Sequence, residues 1–187
     1  MAQAAAAGGF SLLEITWSNN ADPPAMMAAV RRSLPHCVVG AGSVLTLQDL
    51  RSALRAGAQF CFTPHTSPDL IEAAQAARIP LVAGAMTPTE VVRAWQLGAA
   101  SVKVFPISAL GNSAYIRSLL GPLGPLPLVP TGGVTSESAP SLITAGAVAV
   151  GLSTALFPKD EVDRGDWRAV EVRSRYLLAL LSKAARG

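Results

Sequence analysis

A single lysine interrupts the apolar run Ser101-Val102-Lys103-Val104-Phe105-Pro106. Burying an ammonium without a partner costs several kcal/mol or depresses its pKa. Three roles therefore fit Lys103: one half of an ion pair, a snorkelling strand end, or a nucleophile kept neutral. Glu14 is the one acidic residue in the run Ser11-Leu12-Leu13-Glu14-Ile15-Thr16. A carboxylate in such a run is rarely there for packing. Near a desolvated lysine it is either an ion-pair partner or a general acid/base. Glycines supply a third group. Gly132-Gly133 follows an apolar run and precedes Thr135, and Gly151-Leu152-Ser153 ends the next run. Such glycines either merely turn the chain or let backbone N–H groups approach an anion. A carboxyl desolvated near such a lysine could shuttle protons in an aldol reaction, and the glycine-bearing strand ends could cradle a phosphate.

The elements that must position these groups follow from hydrophobic patterning. Strands are predicted over 11–16, 37–42, 60–64, 80–83, 101–106, 126–131 and 148–153. Helices are predicted between them over 23–33, 46–56, 67–78, 87–97, 112–120 and from Thr135 or Ser136 to Gly146, with an amphipathic tail over 167–185. Strictly alternating strands and helices with short loops mean parallel strands with crossover helices. The strands are continuously apolar, as when both faces are covered. A doubly wound sheet and a closed (β/α) barrel both fit this pattern. The barrel is favoured because no GxGxxG follows the first strand. Polar or glycine residues also recur at the strand C-terminal ends: Glu14 and Thr16, Ser43, Thr63, Lys103, Thr131-Gly132-Gly133, and Gly151 with Ser153. In a barrel those ends share one mouth, where active sites lie, and the loops after the last two strands commonly bind phosphate.

Composition narrows the class. Half of the 187 residues are hydrophobic and only 14% are charged, against a typical figure of about 25%. The chain is expected to form one domain over 1–187, with 1–9 as the end of a first helix and 164–187 as a C-terminal helix. Sparse charge suggests surface shared between subunits. A net charge of +3, scattered along the chain, argues against a nucleic-acid surface. No apolar run approaches the roughly 20 residues of a membrane span. Cys37 and Cys61 lie in apolar segments without metal-ligand or CxxC spacing, and read as buried hydrophobes in a reducing compartment. The cytoplasm is the expected location, with a plastid as the alternative in a photosynthetic eukaryote. His36 reads as solvated; His65 either lines the mouth or does not. Trp17 and Phe105 wall the cavity or belong to the core. Arg31, Arg32, Arg51 and Arg55 fall on helix faces directed to solvent.

Taken in order, the segments LLEIT, GAGSVLT, AGAQFCFTP, IPLVAGAMTPTE, SVKVFP, VPTGGV and VGLSTALFP closely resemble the 2-dehydro-3-deoxy-6-phosphogluconate (KDPG) and 4-hydroxy-2-oxoglutarate (KHG) aldolase family. The similarity runs from about Leu12 to Pro158. It implies a (β/α)8 TIM-type barrel, here lacking the first strand and most of the first helix, and a class I aldolase that forms a homotrimer. The implied roles are a Schiff base on Lys103 and general acid/base work by Glu14. Ser43, Pro64 and Phe105 would line the substrate site, and Thr131 would help hold the substrate carboxylate. Gly132, Gly133, Gly151 and Ser153, with Leu152, would form the phosphate site. The implied substrate is a phosphorylated 2-keto acid, with no metal and no cofactor. One departure is that Ser18 stands where many members carry an arginine that assists anion binding. The alternatives are therefore an aldolase preferring an unphosphorylated 4-hydroxy-2-oxo acid, or a phosphate-binding barrel without catalysis.

Overall fold

A computed structural model describes every residue except Asn19 and Gly187. Asn19, part of the turn expected after the first strand, lies outside the described residues. Six strands follow one another in sheet order β1-β2-β3-β4-β5-β6. The order never reverses, whereas a doubly wound sheet must. The chain divides into two compact units, Ser11–Lys103 and Met1–Phe10 with Val104–Gly187.

The first unit repeats one βα module. Strands β1 (Leu12–Thr16), β2 (Val38–Gly42), β3 (Cys61–Phe62), β4 (Leu81–Ala85) and most of β5 (Ser101–Val104) alternate with α2 (Pro23–Ser33), α3 (Leu47–Arg55), α4 (Pro68–Ala76) and α5 (Pro88–Gln96). β1 to β4 pair in parallel. Each of these four helices starts on a side-chain cap: Asp22, Thr46, Ser67 or Thr87 accepts an early helical N–H. α3 and α5 carry full capping boxes, Thr46 with Asp49 and Thr87 with Glu90. Such caps fix where a helix begins, so the loops that leave the strand ends stay short. β4 is buried at every position, as its unbroken LVAGA run requires.

β1 differs because it pairs on one side only, from Leu12 opposite Val38 to Thr16 opposite Gly42. Ile15 and Trp17 are buried, Trp17 at 6% exposure, so it belongs to the core. The alternate residues Leu12, Glu14 and Thr16 are exposed, Leu12 to 63%.

The second unit holds α1 (Ala2–Ala7), a 3-10 turn over Ile107–Leu110, α6 (Ser113–Leu123), β6 (Leu128–Pro130), α7 (Ser138–Thr144), α8 (Lys159–Arg164) and α9 (Trp167–Ala184). α1 packs on α9 closely enough that a Cβ at Gly8 would collide with Ser174, whose hydroxyl donates to the Val170 carbonyl at 2.7 Å. The C-terminal helix expected over 164–187 begins at Trp167, where Asp166 accepts the Ala169 N–H. The residues before it form α8, which was not expected. It is short and charged, with i,i+4 pairs Lys159–Asp163 and Arg164–Asp160, and lacks an apolar stripe to read. Glu161 pairs with Arg173 and ties α8 to α9.

The seventh strand expected over 148–153 is reduced to one parallel bridge, Thr131 opposite Gly151. Val148 and Gly151 donate to the Leu128 and Pro130 carbonyls at 3.0 and 2.9 Å. Val148, 61% exposed, and Ala149 gain no cover, so the segment holds its neighbour at two points only. Among the described residues no helix is long and apolar enough to cross a membrane.

Candidate active site

Lys103 and Glu14 both lie in the first unit. Lys103, third residue of β5, is 5% exposed. Burial pushes its amine below the ordinary lysine value, and the nearby Glu14 charge offsets part of that shift. Desolvation likewise raises Glu14 above the usual carboxyl range, with Lys103 opposing. Both groups therefore move toward their neutral forms. The two are not equally enclosed. Part of Glu14 on the one-sided strand β1 reaches solvent while Lys103 is covered, yet burial is the leading cause of both shifts. An amine below its usual pKa beside a carboxyl above its own suits nucleophilic addition with proton transfer.

What holds Glu14 is glycine. A Cβ at Gly42, which pairs with Thr16 two residues beyond Glu14's own partner Gly40, would fall on the Glu14 carboxyl. The pattern shows Gly42 only as the last residue of the strand predicted over 37–42; the room it leaves is invisible until β1 and β2 are in register. Ser43 follows with φ +56°, in the left-handed region uncommon for a residue with a side chain. Pro64 lies beyond β3, where a Cβ at Gly84 would strike its carbonyl group, so β4 approaches that loop closely. Thr63 is fully buried and donates to the His65 carbonyl at 2.7 Å, while the His65 side chain is exposed.

The aromatic Phe62 on β3 was missed altogether. Its ring centroid lies 5.8 Å from Lys103 Nζ. Period-two reading of Phe60-Cys61-Phe62-Thr63 puts both phenylalanines on one face, the only sequence signal available.

The second unit gathers the remaining candidates. Thr131 follows β6, donates its N–H to Val104 at 3.0 Å and accepts from Ile107 at 2.9 Å. A Cβ at Gly132 would lie 2.8 Å from the Phe105 ring, and one at Gly151 would lie 2.5 Å from Thr131 Oγ1. Gly132 and Gly133 adopt φ +90° and +71°, a conformation suited to glycine. Two features differ from the sequence expectation. The Gly151 N–H is spent on the Pro130 carbonyl, so it serves the bridge rather than an anion. The helix after the glycines starts only at Ser138, with the exposed Glu137 at its N-cap position and no side-chain cap bond, so an acidic residue already sits at its positive end. Gly132, Gly133, Leu152 and Ser153 remain as the candidate cradle, without a cation among them.

The pH dependence follows from the two shifts. Imine formation needs the neutral amine, so its midpoint is expected below the ordinary lysine value of 10.5. In Glu14→Gln the midpoint should fall further, because the charge that raises the lysine is gone. Borohydride trapping with pyruvate across pH measures both.

A sequential parallel α/β sheet presenting an amine and a carboxyl together follows the plan of an aldolase. Known proteins agree. The family model described as KDPG and KHG aldolase matches residues 1–172, through both units. The 2-dehydro-3-deoxy-phosphogluconate aldolase of Pseudomonas aeruginosa is 36% identical over 182 residues, which cover 95% of this chain and 80% of that protein. The KHG/KDPG aldolase of Escherichia coli is 31% identical over 175 residues, 94% of this chain and 82% of that one. A crystal structure of KDPG aldolase from Legionella pneumophila, with pyruvate captured as a covalent carbinolamine, superposes with a TM-score of 0.86 at 25% identity, covering 94% of this chain and 85% of that one. The chain belongs to the KDPG and KHG aldolase family, and is a carbon–carbon lyase.

Proposed function

We propose that the chain cleaves 2-dehydro-3-deoxy-6-phosphogluconate to pyruvate and glyceraldehyde 3-phosphate through a Schiff base on Lys103. The observation that carries this reading is the buried, pKa-lowered Lys103 amine coupled to Glu14. Neutral Nζ adds to the C2 carbonyl, and the carbinolamine hydroxyl takes up a proton and leaves as water to give a protonated imine. Glu14 takes the C4 hydroxyl proton while the C3–C4 bond electrons flow into the imine, releasing the aldehyde and leaving a pyruvate enamine. Protonation at C3 and hydrolysis return the lysine and free pyruvate. In this reading Ser43, Pro64, Phe105 and Thr131 line the keto-acid end, and Gly132, Gly133 and Ser153 meet the phosphate. The sequential strand order supports a (β/α)8-type barrel as the frame. Sparse charge and exposed apolar side chains such as Val172 and Tyr176 support a homotrimer, which a sizing measurement tests.

A second reading has one observation in its favour. Ser18 replaces the family arginine, and the candidate cradle offers no cation, so an unphosphorylated 4-hydroxy-2-oxo acid would lose less here. Coupled pyruvate release from KDPG and from 4-hydroxy-2-oxoglutarate separates the two. Faster turnover of the phosphorylated substrate is expected. Turnover of neither by folded protein would overturn both.

A further inference from the structure

We propose that Phe62 is a positioning residue for the Schiff-base nitrogen: its ring face holds Lys103 Nζ and favours the cationic states through which that nitrogen passes. The inference rests on the imine reading of Lys103 and adds a residue to it.

The geometry is specific. Lys103 Nζ stands 5.8 Å from the Phe62 ring centroid, within the roughly 6 Å reach of a cation–π contact. The ring is itself held. Phe60 meets it edge to face, with centroids 5.8 Å apart and planes at 76°. Phe60 in turn occupies the space over Gly40, where a Cβ would collide with its ring. The backbone is pinned as well: Phe62 pairs with Val82, and its carbonyl accepts the Val44 N–H at 3.1 Å. Glycine, ring, ring and nitrogen thus form one supported line across β2, β3 and β5.

A cation–π contact strengthens where water is excluded, and Lys103 is 5% exposed. The nitrogen carries positive charge as the resting ammonium, as the protonated imine and in the addition step between them. It is neutral as the attacking amine and as the enamine. The ring therefore favours the protonated imine over its neutral counterpart, while holding the nitrogen in one place. It also raises the amine pKa, against desolvation.

Glu14 on β1 is coupled to this nitrogen. Cys61 on β3 is fully buried on the alternate face and its thiol is pushed up to about 11, so it stays neutral. β2 and β4, Val-Val-Gly-Ala-Gly and Leu-Val-Ala-Gly-Ala, carry no titratable side chain.

The test is borohydride trapping with pyruvate as a function of pH, read by intact mass and by mapping of the modified lysine. Phe62→Leu should move the trapping midpoint down by about half to one pH unit, the size of a partly desolvated cation–π contact, and lower the trapped fraction at the alkaline end several-fold. Phe62→Tyr should restore the wild-type midpoint. Mono-, di- and trifluorophenylalanine at position 62 keep shape while draining the ring face, and should shift the midpoint progressively even if the leucine variant does not fold. A midpoint unmoved by fluorination, with trapping still at Lys103, overturns the role of Phe62 alone. Wild-type protein that traps pyruvate nowhere, or at another lysine, overturns the imine reading beneath it.

Discussion

Lys103→Met should abolish cleavage, by at least about 10⁴-fold in kcat/KM, while leaving a folded and slightly more stable protein. Methionine fills a similar volume without an amine, so no imine can form and borohydride should add no mass. The stability gain comes from removing a charge that folding must desolvate. Because Lys103 is depressed in the fold relative to 10.5, the unfolded chain binds its proton more tightly. The gain is therefore full below the folded pKa and fades as pH rises toward the unfolded value. Glu14, left without the charge that lowers it, moves further toward its neutral acid, so no unpaired buried charge is left behind. For a chain of this length each kcal/mol gained raises Tm by about 2–4 °C. Wild-type turnover in the variant, or a marked fall in Tm at neutral pH, would contradict the assignment.

Glu14→Gln should lower cleavage by about 10²–10⁴-fold, the usual contribution of a positioned acid/base, yet spare pyruvate trapping far more. The split matters because the base is needed to break the C3–C4 bond, not to make the lysine nucleophilic. Gly42→Ala tests how the base is held. Gly42 has no positive φ, so alanine is tolerated by the backbone, and its methyl group lands on the Glu14 carboxyl. The carboxyl must then swing away, and cleavage should fall roughly tenfold to a hundredfold, by analogy with small misplacements of catalytic groups. The double variant decides the cause. If Gly42 acts through Glu14, alanine should cost almost nothing further once Glu14 is glutamine. Additive losses would show that Gly42 serves the strand rather than the base.

The sequence alone determined the βα alternation, because continuous apolar runs and Thr, Ser or Asp caps are local signals with a local cause. It also singled out Lys103 and Glu14, since an ionisable residue in an apolar run is costly wherever that run packs. The ordered motifs from LLEIT to VGLSTALFP carry the family likeness without any tertiary information. Tertiary structure decided what depends on register and edges. The seventh strand fell to a single bridge because Val148 and Ala149 gain no cover there, which apolar content cannot foretell. Glu14 proved open to solvent because β1 pairs on one side only. α8 escaped notice because charge pairs, not an apolar stripe, mark it. Gly42 and Phe62 acquired meaning only across strands, one as the space beneath the carboxyl and the other as the ring beside the amine. Period-two alternation tells which face a residue takes, but the neighbour it meets there is set by pairing with another strand.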